Sequence, residues 1–279
     1  MENKIREVLK KYGEIKEIKK LGNSYSSNVY LVNLNNNKYI FKLLKSDEKR
    51  KVEAEALRHL NKYMSVPKLI ETGTYEDIYY NLMEFIDGIS YEDKDAKKLR
   101  KKELITIGKI LSNLHSVQLI NNDDYWYEYL IWRIENAYKV LNGYLKENED
   151  IYLSLIEELN NYIKDNYSLV TLHMDFRPGN LIIGDKFYLI DFESVKNGDP
   201  VFDFIKIKRL LTDKQFSYLI NEYEKNKDLP ADFYGKLEFY NIFDAYTALD
   251  WCISNNQINT DYYKLNMKEI KKYEKRKLQ

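Results

Sequence analysis

The 279-residue sequence predicts an α+β protein of two lobes, an N-terminal antiparallel sheet with one main helix and a mostly helical C-terminal lobe. Three observations predict it. Val29–Leu34 and Lys38–Leu44 read as strands joined by Asn35-Asn36-Asn37, a turn-forming cluster, which makes an antiparallel hairpin. Most of the chain beyond residue 100 repeats apolar residues at helical spacing. One strand–loop–strand segment interrupts those helical runs, and it is dense in chemistry-bearing side chains.

The composition fits a packed chain with room for two lobes and a cleft: 44% apolar and 14% aromatic, with only 10 glycines and 4 prolines. Lys+Arg and Asp+Glu are 44 each, and zero net charge speaks against a surface built to hold a nucleic-acid backbone. The lone Cys252 excludes an intrachain disulfide and a Cys-based zinc site and fits a reducing compartment. Met1–Glu7 has no apolar signal core, and no run approaches the ~18 apolar residues of a membrane span. A cytoplasmic protein with no membrane partner, monomeric or weakly dimeric, is the expectation.

Taken in order, Ile5, Val8, Leu9 and Tyr12 predict a short amphipathic helix over 2–12. Residues 14–21 are too charged to assign. Gly22-Asn-Ser-Tyr-Ser-Ser-Asn28 is a polar loop before the hairpin, either an ordinary surface turn or a cover for phosphates through N–H groups and hydroxyls. Lys42 shares a strand face with Ile40 and Leu44, so its ammonium either snorkels to water or points into a cleft with a partner. A cap-like Ser46-Asp47 then opens a helix with Val52, Ala56, Leu57 and Leu60 on one face, and Glu53 and Glu55 are its acids that can meet Lys42. After Val66–Ile70 and a turn near Gly73, Ile78–Gly88 is an apolar strand running into a turn, and the lobe boundary falls at 86–88.

Residues 91–102 are charged and expected to be exposed, whereas Leu104, Ile107, Leu111 and Leu114 predict a buried helix with His115 as a structural histidine at its end. Helices are expected over 128–145, 151–165, 213–226, 232–255 and 260–276, the last Lys-rich and solvated. Between them, Leu169–Leu172 delivers His173 and Asp175, Phe176–Gly179 turns, Leu181–Ile183 is a strand, Gly184-Asp185 turns, and Phe187–Ile190 ends in Asp191. Such a hairpin brings Asp175, Asn180 and Asp191 to one mouth. Two carboxylates and an amide oxygen are hard ligands suited to Mg2+, which takes few protein groups plus substrate phosphates.

The sequence resembles the aminoglycoside phosphotransferase and choline kinase superfamily, whose fold is bilobal and protein-kinase-like. His173-Met-Asp-Phe-Arg-Pro-Gly-Asn180 resembles its catalytic loop, Leu189-Ile-Asp-Phe-Glu193 its metal segment, and Gly198-Asp-Pro-Val-Phe-Asp-Phe204 its G-D-P-x-x-D element. The likeness runs from about residue 18 to 225 and is weakest at the 22–28 loop and the C-terminal helices. Glu193, where protein kinases carry Gly, and the lack of an A-P-E segment point to a small-molecule kinase.

The resemblance implies an N-lobe of residues 1–86 and a C-lobe of 87–279. It implies Asp175 as the group that orients the acceptor hydroxyl and takes its proton, and Asn180 and Asp191 as Mg2+ ligands. Lys42 would grip the α- and β-phosphates of ATP or GTP, oriented by Glu53. Ser24, Ser26 and Ser27 would cover the phosphates, and Met83, Glu84 and Ile86 would border the adenine. Arg177, by its place two after Asp175, is assigned to the transferred phosphoryl, and His173 to bracing the loop.

The expected acceptor is a hydroxyl of a small molecule, an aminoglycoside first. A polycation calls for acids, and Glu193, Asp199, Asp203, Asp244 and Asp250 are the candidates. A choline- or ethanolamine-type amino alcohol, thiamine or a sugar is the alternative. Trp126, Tyr127, Trp132, Tyr246 and Trp251 either hold its cation or pack the core. A catalytically silent kinase-fold scaffold or coat protein is the non-enzyme alternative, and retention of Asp175, Asn180 and Asp191 weighs against it.

Overall fold

A computed structural model describes residues 1–23, 27–91, 93–118 and 125–277. The N-terminal part is a five-stranded antiparallel sheet in the order β1-β2-β3-β5-β4. Its strands are β1 (Ile15–Asn23), β2 (Ser27–Leu34), β3 (Asn37–Leu44), β4 (Leu69–Tyr75) and β5 (Ile78–Glu84). The β2–β3 turn is two residues, Asn35 and Asn36, both at positive φ (49° and 71°), the conformation in which Asn substitutes for Gly and which matches strand twist. Helix α1 (Glu2–Leu9) closes the outer face by setting Ile5, Val8 and Leu9 against Tyr30, Val32, Phe41 and Leu82. Helix α2 (Asp47–Leu60), capped by Ser46 accepting from the Lys49 amide, covers the other face.

The charged stretch left unassigned at 14–21 is the edge strand β1. Ile15 and Ile18 pack on the sheet core, and exposed Lys16, Lys19 and Lys20 occupy the open edge, where charge discourages further pairing. Gly73 lies inside β4 rather than in a turn. A Cβ there would come within 2.8 Å of the Tyr80 hydroxyl, so the strand needs the missing side chain for close approach, and the turn falls at Glu76-Asp77.

The rest of the chain is mainly helical: α3 (Lys101–Ser116), α4 (Trp126–Leu141), α5 (Asn148–Tyr162), α6 (Phe204–Leu210), α7 (Asp213–Tyr223), α8 (Phe233–Ser254) and α9 (Asp261–Lys277). Residues 93–98 form a 3-10 helix that buries Ala96, with Leu99 buried just beyond, so that charged stretch is anchored rather than wholly exposed. The central segment contributes β7 (Val170–Leu172), β8 (Leu181–Ile183) and β9 (Phe187–Leu189). Two short strands complete it: β6 (Ile89–Ser90) pairs β8, and β10 (Lys196–Gly198) pairs β7. Gly198 is required there, because a Cβ would lie 2.5 Å from the Trp126 ring. Among the described residues no helix is long and apolar enough to cross a membrane.

Candidate active site

Lys42 stands on the central strand β3, beside Val29 of β2 and Asn81 of β5, on the face that α2 covers. It is 4% exposed, so snorkelling to water is not its solution. Its Nζ donates to Glu53 Oε1 at 2.6 Å and to Asp191 Oδ1 at 2.6 Å, with Glu193 at 3.3 Å. Burial alone would depress the ammonium's pKa, but the three carboxylates outweigh burial and raise it, so the group stays charged. Asn81 donates from Nδ2 to Glu53 Oε2 at 2.9 Å and fixes the free end of that carboxylate.

On the other side of the cleft, β7 delivers the loop from His173 to Asn180. Asp203 accepts the backbone N–H groups of His173 (2.7 Å) and Met174 (2.8 Å), and His115 Nε2 lies 3.3 Å from the same carboxylate. His115 is therefore the structural histidine expected, its other ring nitrogen 2.9 Å from the Tyr223 hydroxyl. His173 braces the loop: Nε2 donates to the Ile190 carbonyl (2.9 Å) and Nδ1 accepts from the Asp175 amide (3.3 Å). Met174 and Asp191 sit at φ 69° and 71°, left-handed conformations held by this network, and such strain concentrates at functional sites.

Asp175 receives three side chains: Lys206 Nζ at 2.7 Å, Arg177 Nε at 3.0 Å and Asn180 Nδ2 at 2.9 Å. Burial would raise its carboxyl, but Lys206 and then Arg177 outweigh burial and hold it well below the usual carboxylate range. Asp191 is likewise lowered, burial being opposed chiefly by Lys42. Asn180 also donates to the Asp175 carbonyl at 2.8 Å, so both amide bonds point at one residue and its Oδ1 faces the opposite way. That oxygen and the Asp191 carboxylate are a donor set suited to Mg2+ shared with phosphates. Among the described residues no group of three or more His, Cys, Asp or Glu side chains forms a metal cage by itself. An ion here would depend on the substrate for its remaining oxygens.

Next to this cluster a cavity of about 1150 Å³ is lined by residues of α2, α4, β10 and α8, together with Met174, Glu193 and Lys206. Glu193, Asp244 and Trp251 of the expected acceptor groups line it. The others do not. Trp126 is buried and donates its indole N–H to Tyr240, and Tyr246 is buried with its hydroxyl donating to Asn148. Asp199 caps the following turn through the Val201 amide and pairs with buried Lys236, while Asp203 is spent on the loop amides. Asp250 accepts from Ser254 on α8, away from the lining. Tyr127 bonds Asn160, and Trp132 is exposed to solvent.

Of the hinge-like residues, Met83 and Ile86 are buried where the chain leaves β5, and Glu84 is exposed with its amide on the Lys68 carbonyl. Ser27 is buried in β2, whereas Ser24 and Ser26 lie outside the described residues. Sequence reasoning missed Asn81, Lys49 and Lys206. Lys49 pairs with Glu193 at 2.8 Å. Asn81 had a legible signal, a lone amide in an apolar strand. Lys206 had none, because only the fold carries α6 to the His173–Asn180 loop.

Residues 17–232 match the model of the APH group, described as the phosphotransferase enzyme family. The chain belongs to that family. It is a kinase of the type that includes aminoglycoside phosphotransferases and choline kinases. Among solved structures of the family's fold, the choline kinase LicA from Streptococcus pneumoniae is 19% identical, covering 98% of this chain and 99% of that one, with a TM-score of 0.75. A gentamicin complex of APH(2'')-IIa is 20% identical over 95% of this chain and 94% of that one, at TM-score 0.70. The ADP-bound aminoglycoside phosphotransferase APH(2'')-Ib is 19% identical over 98% and 96%, at TM-score 0.69. At these identities the likeness establishes the fold. A comparison with curated protein sequences finds no significant match.

Proposed function

We propose that this phosphotransferase is a Mg2+-dependent kinase that moves the γ-phosphoryl of ATP or GTP to a hydroxyl of a small molecule. The observation that carries the reading is Lys42 meeting Glu53 and Asp191 at 2.6 Å each, beside an ionised Asp175. An amine from the sheet and an acid from the hairpin converge where a nucleotide's phosphates would enter. In this reading Lys42 binds the α- and β-phosphates, and Glu53, itself held by Asn81, keeps the amine in place. Asn180 Oδ1 and Asp191 would hold Mg2+, which supplies charge neutralisation for the phosphates. Arg177 and Lys206 set the direction and basicity of Asp175. A carboxylate kept this acidic is a weak base, so it orients the acceptor hydroxyl and takes the proton only as the new O–P bond forms.

The expectation of an aminoglycoside rests on the family alone. The acids it invoked at Asp199, Asp203 and Asp250 have structural partners. Of those that line the cavity, Glu193 pairs with Lys49 and Asp244 with Arg209. The reading therefore stops at a small-molecule hydroxyl. Coupled ADP release with ATP and with GTP, on the parent, Asp175→Ala and Asp191→Ala, tests it. At least a 100-fold loss in both variants is expected, and equal turnover in all three would refute the catalytic assignment of Asp175 and Asp191.

A further inference from the structure

Among the described residues, the charges that line the acceptor cavity leave two basic side chains without a carboxylate partner. Four basic side chains, Lys49, Arg133, Lys196 and Lys206, line it against three acids, Glu48, Glu193 and Asp244. Most of these are neutralised. Lys49 is taken by Glu193 (2.8 Å), Lys206 by Asp175 (2.7 Å), and Asp244 by Arg209 (2.5 Å). Glu48 is exposed at the rim. Arg133 and Lys196 remain, and among the described residues no carboxylate lies within ion-pair distance of either.

Both converge on one tyrosine. Lys196 Nζ stands 3.6 Å from the centroid of the Tyr129 ring, and Arg133 Nη1 lies 3.5 Å from the Tyr129 hydroxyl. Arg133 Nη2 adds only a long contact of 3.4 Å to the Thr247 carbonyl, which leaves most of its five N–H donors for other partners. Two half-buried cations, one over the ring and one at its hydroxyl, repel each other, and an anion between or beside them relieves that repulsion. They come from different elements, α4 and β10, so helix geometry alone did not bring them together.

We propose, resting on the kinase reading above, that the acceptor carries an anionic group, a carboxylate or a phosphate, held by Arg133 and Lys196 over Tyr129. Its hydroxyl then faces Asp175, which Lys206 of the lining holds at 2.7 Å. Arg133 offers the planar fork that fits either group, and Lys196 a point charge. The same pair makes the cavity repel a cationic acceptor.

The test uses the full chain saturated with Mg2+ and ADP, titrated calorimetrically with matched probes: glucose, gluconate and glucose 6-phosphate; glycerol, glycerate and glycerol 3-phosphate; choline and kanamycin. At least one anionic member is expected to bind ten-fold or more tighter than its neutral counterpart. Comparison of the carboxylate arm with the phosphate arm identifies which anion the pair prefers. Arg133→Met and Lys196→Met should each weaken the preferred probe about ten-fold or more, while Lys196→Arg, which keeps the charge, retains most of the affinity. Preference for choline or kanamycin, absence of binding by every anionic probe, or insensitivity to both methionine variants would overturn the inference. ATP hydrolysis by the parent is followed separately. Anion binding with no hydrolysis and no transfer would sink the kinase reading and leave the anion site standing.

Discussion

At Asp175 burial and charge oppose each other, and Lys206 tips the balance toward the ionised form. A folded pKa below the unfolded one stabilises the fold above the ordinary carboxylate pKa of about 3.9, and that contribution is lost as pH falls through the folded value. Asp191 behaves in the same way. Parent stability in urea should therefore hold from pH 7 down to about 4 as far as these two groups decide it. Lys206→Met removes the leading opponent of burial, so Asp175 protonates at higher pH. That variant should lose roughly 1–3 kcal/mol at pH 7 and develop an acid limb in its rate profile that the parent lacks. A superimposable pH–rate profile for parent and variant would show that Lys206 has no hold on the carboxylate. Asp175, Asn180 and Asp191 were legible from spacing alone, since sequence order encodes a short hairpin directly. Lys206 was not, because a lysine on an amphipathic helix reads as a solvated face.

Among the elements, α3 and α7 pack closely where Gly108 faces the Leu219 carbonyl. A Cβ at Gly108 would lie 2.4 Å from that backbone oxygen, which no side-chain rotation relieves. Gly108→Ala should force the helices apart and cost roughly 1–3 kcal/mol, read as a lower urea midpoint. Because α7 also presents Tyr223 to His115, and His115 contacts Asp203, the damage can spread to the loop from His173 to Asn180. Asp203→Asn tests that link more directly. Replacing one oxygen by an amide sets a donor against the His173 or Met174 amide, so kcat should fall at least ten-fold while KM for nucleotide changes little. Unchanged kcat in a folded Asp203→Asn protein would mean the loop holds its shape without this anchor. Gly198-Asp-Pro-Val-Phe-Asp drew attention in the sequence as a possible acid patch for substrate. Its acids instead cap a turn and anchor amides, a distinction that a string of residue types does not contain.

For the whole molecule, the sheet and the helical part share the charges that a nucleotide would reorganise: Lys42 from the sheet, and Asp191 and Glu193 from beyond the hairpin. A ligand that binds only the folded state stabilises it by about 2.7 kcal/mol at one hundred times its Kd. Mg2+ with ADP should raise the melting temperature of the parent, and the rise should be smaller without Mg2+ and smaller again in Asp191→Ala. A Mg2+-independent shift of equal size in both proteins would separate nucleotide binding from the proposed metal pair.

The sequence by itself determined the hairpin, the helical periods, the order of Lys42, Glu53, Asp175, Asn180 and Asp191, and with them the family. These features are local, or follow from alternation along strands and helices, so a one-dimensional reading reaches them. Only the tertiary structure decided that Lys42 is buried against three carboxylates rather than snorkelled, and that the charged stretch at 15–23 forms an edge strand. It also decided that Trp126 and Tyr246 are core, and that Arg133 and Lys196 face one cavity. Each of those depends on which other segment covers or pairs with a residue, and burial and pairing between separate elements leave no periodic mark in the chain.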